Sequence, residues 1–193
     1  MKSRREFTFV GISSSVLALV LGKVAQAESP APEEAARVSA LVRTALFVRD
    51  LDRASHFYRN VLGLRQIYGE GVLDSPAARQ LLGLSESGST RYRIVKAPGP
   101  NRGMVGLFEL RDQQVPEATK NATRANYGEG CLVFYCEDLD VIVKAASQLK
   151  LPIVSAPVYL SIWEKNKGQR EMTLRDPDGM LVNLIERSPE DPR

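Results

Sequence analysis

The sequence predicts an α+β fold made of two copies of one βαβββ unit. Three observations carry that expectation. LVRTALFVRDLD (Leu41–Asp52) and CLVFYCEDLD (Cys131–Asp140) each run from an apolar strand into a helix, and Asp50-Leu51-Asp52 recurs as Asp138-Leu139-Asp140 at an offset of 88 positions. Each copy is followed by several strand-like runs. The composition, 44% apolar and 25% charged over 193 residues, suits one or two small units with a real core.

The elements follow in order. Residues 42–48 are apolar on both faces and read as a strand. Asp50 is a natural helix N-cap, and Leu51, Ala54, Phe57, Tyr58, Val61 and Leu62 recur at helical spacing until Gly63 supplies a left-handed stop. Residues 66–68 read as a short strand and PAARQLLGL (Pro76–Leu84) as an inserted helix. RYRIVKA and MVGLFELR are strands that end the first unit. In the second unit, residues 131–136 read as a strand and 139–149 as a helix. Residues 153–160 form a strand that Pro157 confines to an edge. REMTLRD and MLVNLIE are two strands around the turn Asp176-Pro177-Asp178-Gly179.

The N-terminus reads as a targeting segment. MKSRREF is basic, FTFVGISSSVLALVLG is an apolar run of 16 residues, and Ala25-Gln26-Ala27 is a small-x-small cleavage pattern. Arg4-Arg5 followed by Phe7, with Lys23 after the apolar run, resembles a twin-arginine export signal. The apolar run is shorter than the about 20 residues a spanning helix needs. Residues 1–27 are therefore expected to be a twin-arginine-type signal peptide, with the mature protein periplasmic or secreted and not stably inserted in a membrane. Residues 28–40 are an Ala/Pro/Glu-rich tether. Removing the signal leaves 22 basic and 22 acidic side chains (26 − 4 and 23 − 1), so nothing points to nucleic acid. Cys131 and Cys136 lie five apart in one strand, on opposite faces, and are not expected to bridge.

ALFVRDLDRASHFYRNVLGL in the first half, with FYCEDLD and LRDPDGMLVNLIE in the second, resembles the vicinal oxygen chelate superfamily of glyoxalase I, bleomycin-resistance proteins and extradiol dioxygenases. The resemblance spans residues 41–187: a first module at 41–112, a linker at 113–129, a second module at 130–187, and a tail at 188–193. It implies two curved mixed sheets enclosing a central cavity for a small organic ligand, often with one divalent metal. The modules pair either within the chain or across a homodimer.

On that resemblance, residues facing the cavity include Arg43 and Phe47 from the first strand, Cys131 and Tyr135 from the matching strand, Glu109, and Asn183. Tyr159 and Trp163 lie in a connection that could cover its mouth. Metal-dependent relatives place histidines where this chain has Arg43 and Cys131, and a glutamate at Asn183, while Glu109 matches their remaining ligand. Arginine has no lone pair to give, so no metal is expected. The chain's single histidine, His56, falls on the first helix, outside the cavity. Arg43 is expected to meet Glu109. That pair either neutralises a former metal position or serves a ligand, Arg43 holding a carboxylate or phenolate while Glu109 moves a proton. Two functions follow: a metal-free binding protein, or a lyase- or dioxygenase-type enzyme with Glu109 as base or ligand.

Overall fold

The computed structural model describes residues 39–112, 122–160 and 169–187. The expected signal, most of the tether, the first part of the linker, Trp163 and the tail lie outside the described residues.

The first module contains β1 (Arg43–Val48), α1 (Leu51–His56, continued by a π-helical turn Phe57–Val61), β2 (Gln66–Leu73), α2 (Pro76–Leu82), β3 (Ser89–Lys96) and β4 (Met104–Arg111). The second contains β5 (Cys131–Cys136), α3 (Leu139–Gln148), β6 (Ile153–Leu160), β7 (Gln169–Arg175) and β8 (Leu181–Glu186). The sheets are ordered β1-β4-β3-β2 and β5-β8-β7-β6. In each, the first strand runs parallel to the last and the other pairings are antiparallel. The α+β architecture of two βαβββ modules is present.

One device starts both helices. Asp50 accepts from the backbone N–H groups of Asp52 and Arg53, and Asp138 does the same for Asp140 and Val141. This satisfies donors that a helix N-terminus leaves unpaired. A distant carboxylate takes one more: Glu109 Oε2 accepts from Leu51 N–H and Glu186 Oε1 from Leu139 N–H, each at 3.0 Å. An arginine then bridges that glutamate to the helix. Arg91 joins Glu109 to Asp52, and Arg170 joins Glu186 to Asp140.

α1, its π-helical turn, α3 and one face of each sheet share a single core, while α2 buries no residue. Leu46, Leu51, Phe57 and Leu107 of the first module lie in one cluster with Leu139, Ile142, Leu174 and Val182 of the second. Polar ties cross the same junction. Tyr58 Oη donates to Asp176 Oδ2 at 2.8 Å, Arg49 N–H donates to Asp178 Oδ1 at 2.9 Å, and Arg53 donates to the Pro177 carbonyl at 2.7 Å.

Three expectations need correcting. The helix expected over 51–62 leaves α geometry at Phe57, where Leu62 N–H reaches back five residues to the Phe57 carbonyl. The wider turn accompanies full burial of two sequence neighbours, Phe57 and Tyr58, whose side chains a regular α turn would spread about 100° apart. The strand expected at 66–68 extends to Leu73. Gly69 and Gly71, which weaken a strand signal, pair with Ile94 and Tyr92. Finally, the sheets are not closed on each other: every strand pairing lies within one module.

Candidate functional site

Alternation along each strand divides each sheet into a core face and an open face. From β1, Leu46 and Val48 enter the core, while Arg43, Ala45 and Phe47 take the open face. Their partners on β4 are Met104, Gly106 and Phe108, and β3 adds Ile94 and Tyr92. In the second module Cys131, Val133 and Tyr135 are open, beside Leu181, Asn183 and Ile185. Thr173 and Glu171 stand next to Asn183 and Ile185.

Glu109 is not on that face. It shares the core face of β4 with Val105 and Leu107: Leu107 pairs with Leu46 beneath α1, and Glu109 pairs with Val48. Arg43 pairs with Met104, five rungs away. At about 3.3 Å per rung that is roughly 17 Å, with the two side chains on opposite faces. The expected Arg43–Glu109 pair does not form. Burial alone would raise the Glu109 carboxyl, but the Leu51 N–H, Arg111 and Arg91 together hold it below the usual carboxylate range. A carboxylate so engaged is a poor base.

The internal repeat shows where the register slipped. The capping residues place Glu109 opposite Glu186, so Asn183 corresponds to Gly106, not Glu109. A Cβ built at Gly106 would lie 2.7 Å from the Phe108 ring and 3.5 Å from Arg43 Cδ. The Arg43 stem and the Phe108 edge therefore occupy the space over that glycine.

The first open face is thus an aromatic platform with one cation. Phe47 and Phe108 are tilted with centroids 6.2 Å apart, and Tyr92 stacks on Phe108 at 6.1 Å. Phe47 is 56% exposed. Arg43 makes no hydrogen bond or ion pair among the described residues. On the second open face the Arg187 guanidinium lies 3.3 Å over the Tyr135 ring. Asn183 donates to the Met172 carbonyl and to Thr173 Oγ1 at 3.3 and 3.2 Å. Cys131 and Cys136 are free thiols. Burial pushes the Cys131 thiol above its usual value, which keeps the nucleophilic thiolate scarce. Tyr159 is exposed on β6. Sequence reasoning missed Tyr92, Phe108, Gly106, Thr173 and Glu171, which become visible only once β3 and β7 are paired with their neighbours.

These residues do not fit a divalent metal. Arg43 cannot donate an electron pair, Glu109 faces the helix, the Cys131 thiol is held protonated, and the Asn183 amide group is turned to its own sheet. Among the described residues no three His, Cys, Asp or Glu side chains converge.

Duplicated βαβββ modules, with α1 and α3 merged in one core and the opposite face of each sheet left open, define a paired-module class of fold. The family model of the Glyoxalase/Bleomycin resistance protein/Dioxygenase superfamily matches residues 40–184, and the chain belongs to that superfamily. Among solved structures, a glyoxalase family protein from Bacillus cereus is 18% identical over 81% of this chain and 98% of its own, with a TM-score of 0.60. A lactoylglutathione lyase from Agrobacterium tumefaciens is 25% identical, over 77% and 94%, at 0.41. A trypanothione-dependent glyoxalase I from Leishmania major is 19% identical, over 77% and 87%, at 0.47. The first of these likenesses shows the fold. No curated protein matches the chain.

Proposed function

We propose that the protein captures a small organic anion with an aromatic body on its open sheet faces, and does so without a family-type metal. The observation that carries this is Arg43, a cation with no acidic partner among the described residues, lying over Gly106 beside the Phe47, Phe108 and Tyr92 rings. A guanidinium recognises a carboxylate or phenolate through paired N–H donors, and the rings offer an apolar, stackable surface. The enzymatic alternative rested on Glu109, which is committed to the α1 N-terminus.

The test is calorimetric titration with aryl carboxylates, using the parent and Arg43→Gln. Loss of one charge-assisted contact should weaken binding about tenfold. Equal affinities would overturn the reading. Elemental analysis of protein expressed with zinc, nickel, iron or manganese should give far less than one ion per chain. One tightly held ion would overturn the metal-free part. Export through the twin-arginine route belongs to the same proposal and rests on Arg4-Arg5 and Lys23. Replacing both arginines with lysine should hold the precursor in the cytoplasm, and normal export of that variant would count against it.

A further inference from the structure

A second candidate site lies on the helix side of the molecule, where the two modules meet. A cavity of about 490 Å³ is lined by Arg49 before α1, by Arg53 and His56 on α1, by Leu149–Pro152 after α3, and by residues 175–179 at the β7–β8 turn. Its size is that of a small-molecule pocket. It contains none of the open-face residues Arg43, Phe47, Cys131, Tyr135 or Asn183.

The acidic groups at this cavity are engaged except for one oxygen of Asp178, which is buried without a hydrogen-bond partner among the described residues. Asp176 accepts from Tyr58 and from the Asp178 and Met180 N–H groups. Asp178 Oδ1 accepts from Arg49 N–H and faces the Arg49 and Arg53 guanidinium groups at 3.5 and 3.7 Å, and its other oxygen is buried. Arg175 is paired with Glu129 at 2.6 Å. Lys150 and His56 have no carboxylate partner among the described residues. The polar rim therefore carries more positive than negative charge, while Leu149, Leu151, Pro152 and Pro177 supply apolar wall.

Lys150 adds a second, independent observation. It follows α3 in the left-handed region, at φ 54°, the one non-glycine with positive φ among the described residues. Once the one residue added to the first module by its π-helical turn is allowed for, Leu149-Lys150-Leu151 correspond to Leu62-Gly63-Leu64, where Gly63 takes φ 78°. Glycine accepts this conformation without the steric penalty a side chain suffers. The second module thus uses a strained lysine where the first uses the relaxed residue, and that lysine stands at the cavity.

We infer that the inter-module cavity binds a small organic dianion, a phosphate monoester or a dicarboxylate with a short apolar body, with Lys150, Arg53 and His56 facing its charge. This site is independent of the open-face proposal. The probe is phenyl phosphate added to the untagged full chain at low salt. His56 is the only histidine in the sequence, so its ring resonances report on this cavity alone. Those signals should shift and saturate, and inorganic phosphate should act more weakly because it lacks the apolar body. Lys150→Gly copies the Gly63 solution. It should raise the melting temperature and weaken phenyl phosphate binding about tenfold. Unmoved His56 signals, equal affinity for inorganic phosphate, or equal affinity in Lys150→Gly would each overturn the inference.

Discussion

Arg175 and Glu129 form the most completely enclosed ion pair of the described residues, with side chains 3% and 2% exposed. Arg175 also donates to the Ala122, Arg124 and Gly179 carbonyls, so it pins the described end of the linker against the β7–β8 turn. Its guanidinium, with help from Asn126, holds the Glu129 carboxyl down at about 2. The sign follows from the lowered value. The stabilisation is complete above the unfolded carboxylate range, near 4.3, and fades as pH falls from there toward 2. Chemical denaturation of the parent and Glu129→Gln should show a stability gap that is constant above about pH 5 and closes on acidification. Arg175→Met should cost about 3–5 kcal/mol at neutral pH, because it strands a buried carboxylate. A loss under 1 kcal/mol would show that the pair is solvated. No sequence pattern announced this pair, because the two residues lie far apart in the chain and meet only after β7 and the linker come together.

At the scale of elements, the paired helix starts show what was legible and what was hidden. The Asp50 and Asp138 caps stand at a fixed offset and were readable at once. Their long-range partners drift: Arg91 and Arg170 are 79 positions apart, Glu109 and Glu186 only 77. The first module carries nine extra residues between Asp50 and Arg91, one in the π-helical turn and the rest around α2, and two more before Glu109. That drift makes Glu109 look like an open-face residue, although its counterpart Glu186 caps α3 in the same way that Glu109 caps α1. Strand alternation placed Arg43, Phe47, Cys131, Tyr135 and Asn183 without any register, whereas Glu109 required one. The geometry predicts equal roles for the two glutamates. Glu109→Ala and Glu186→Ala should each lower stability by about 1–2 kcal/mol, the typical effect of losing a helix cap. The two losses should add in the double variant, since the sites share no partner. Glu109→Ala should leave aryl carboxylate binding intact, and a selective loss of binding would restore the glutamate as a ligand contact.

Among the described residues, α1 and α3 turn into the core while one face of each sheet stays open, and α2 lies on the surface. Phe47, Val133, Tyr135 and Val158 stand exposed in the two sheets, and β1 and β5 each present a free strand edge. Such edges and apolar faces invite association. Arg43 on the first open face and Glu171 on the second have no charged partners among the described residues. A second copy related by a two-fold axis would set each first module against a second module. Light scattering at micromolar concentration should report a dimer, and Phe47→Glu should shift it toward monomer. A monomeric parent would leave the open faces as solvent-lined grooves.

The merged core has a separate consequence for how this chain can be divided. Each βαβββ unit looks self-sufficient in topology, yet Leu51 and Phe57 lie in the same buried cluster as Leu139 and Ile142 of the other unit, and Tyr58 finds its acceptor at Asp176. Half of the duplicated chain is therefore an incomplete object, with an apolar flank that only the other half can cover. The two halves should melt in one cooperative transition, and fragments cut within the linker should remain unfolded apart and regain structure when mixed.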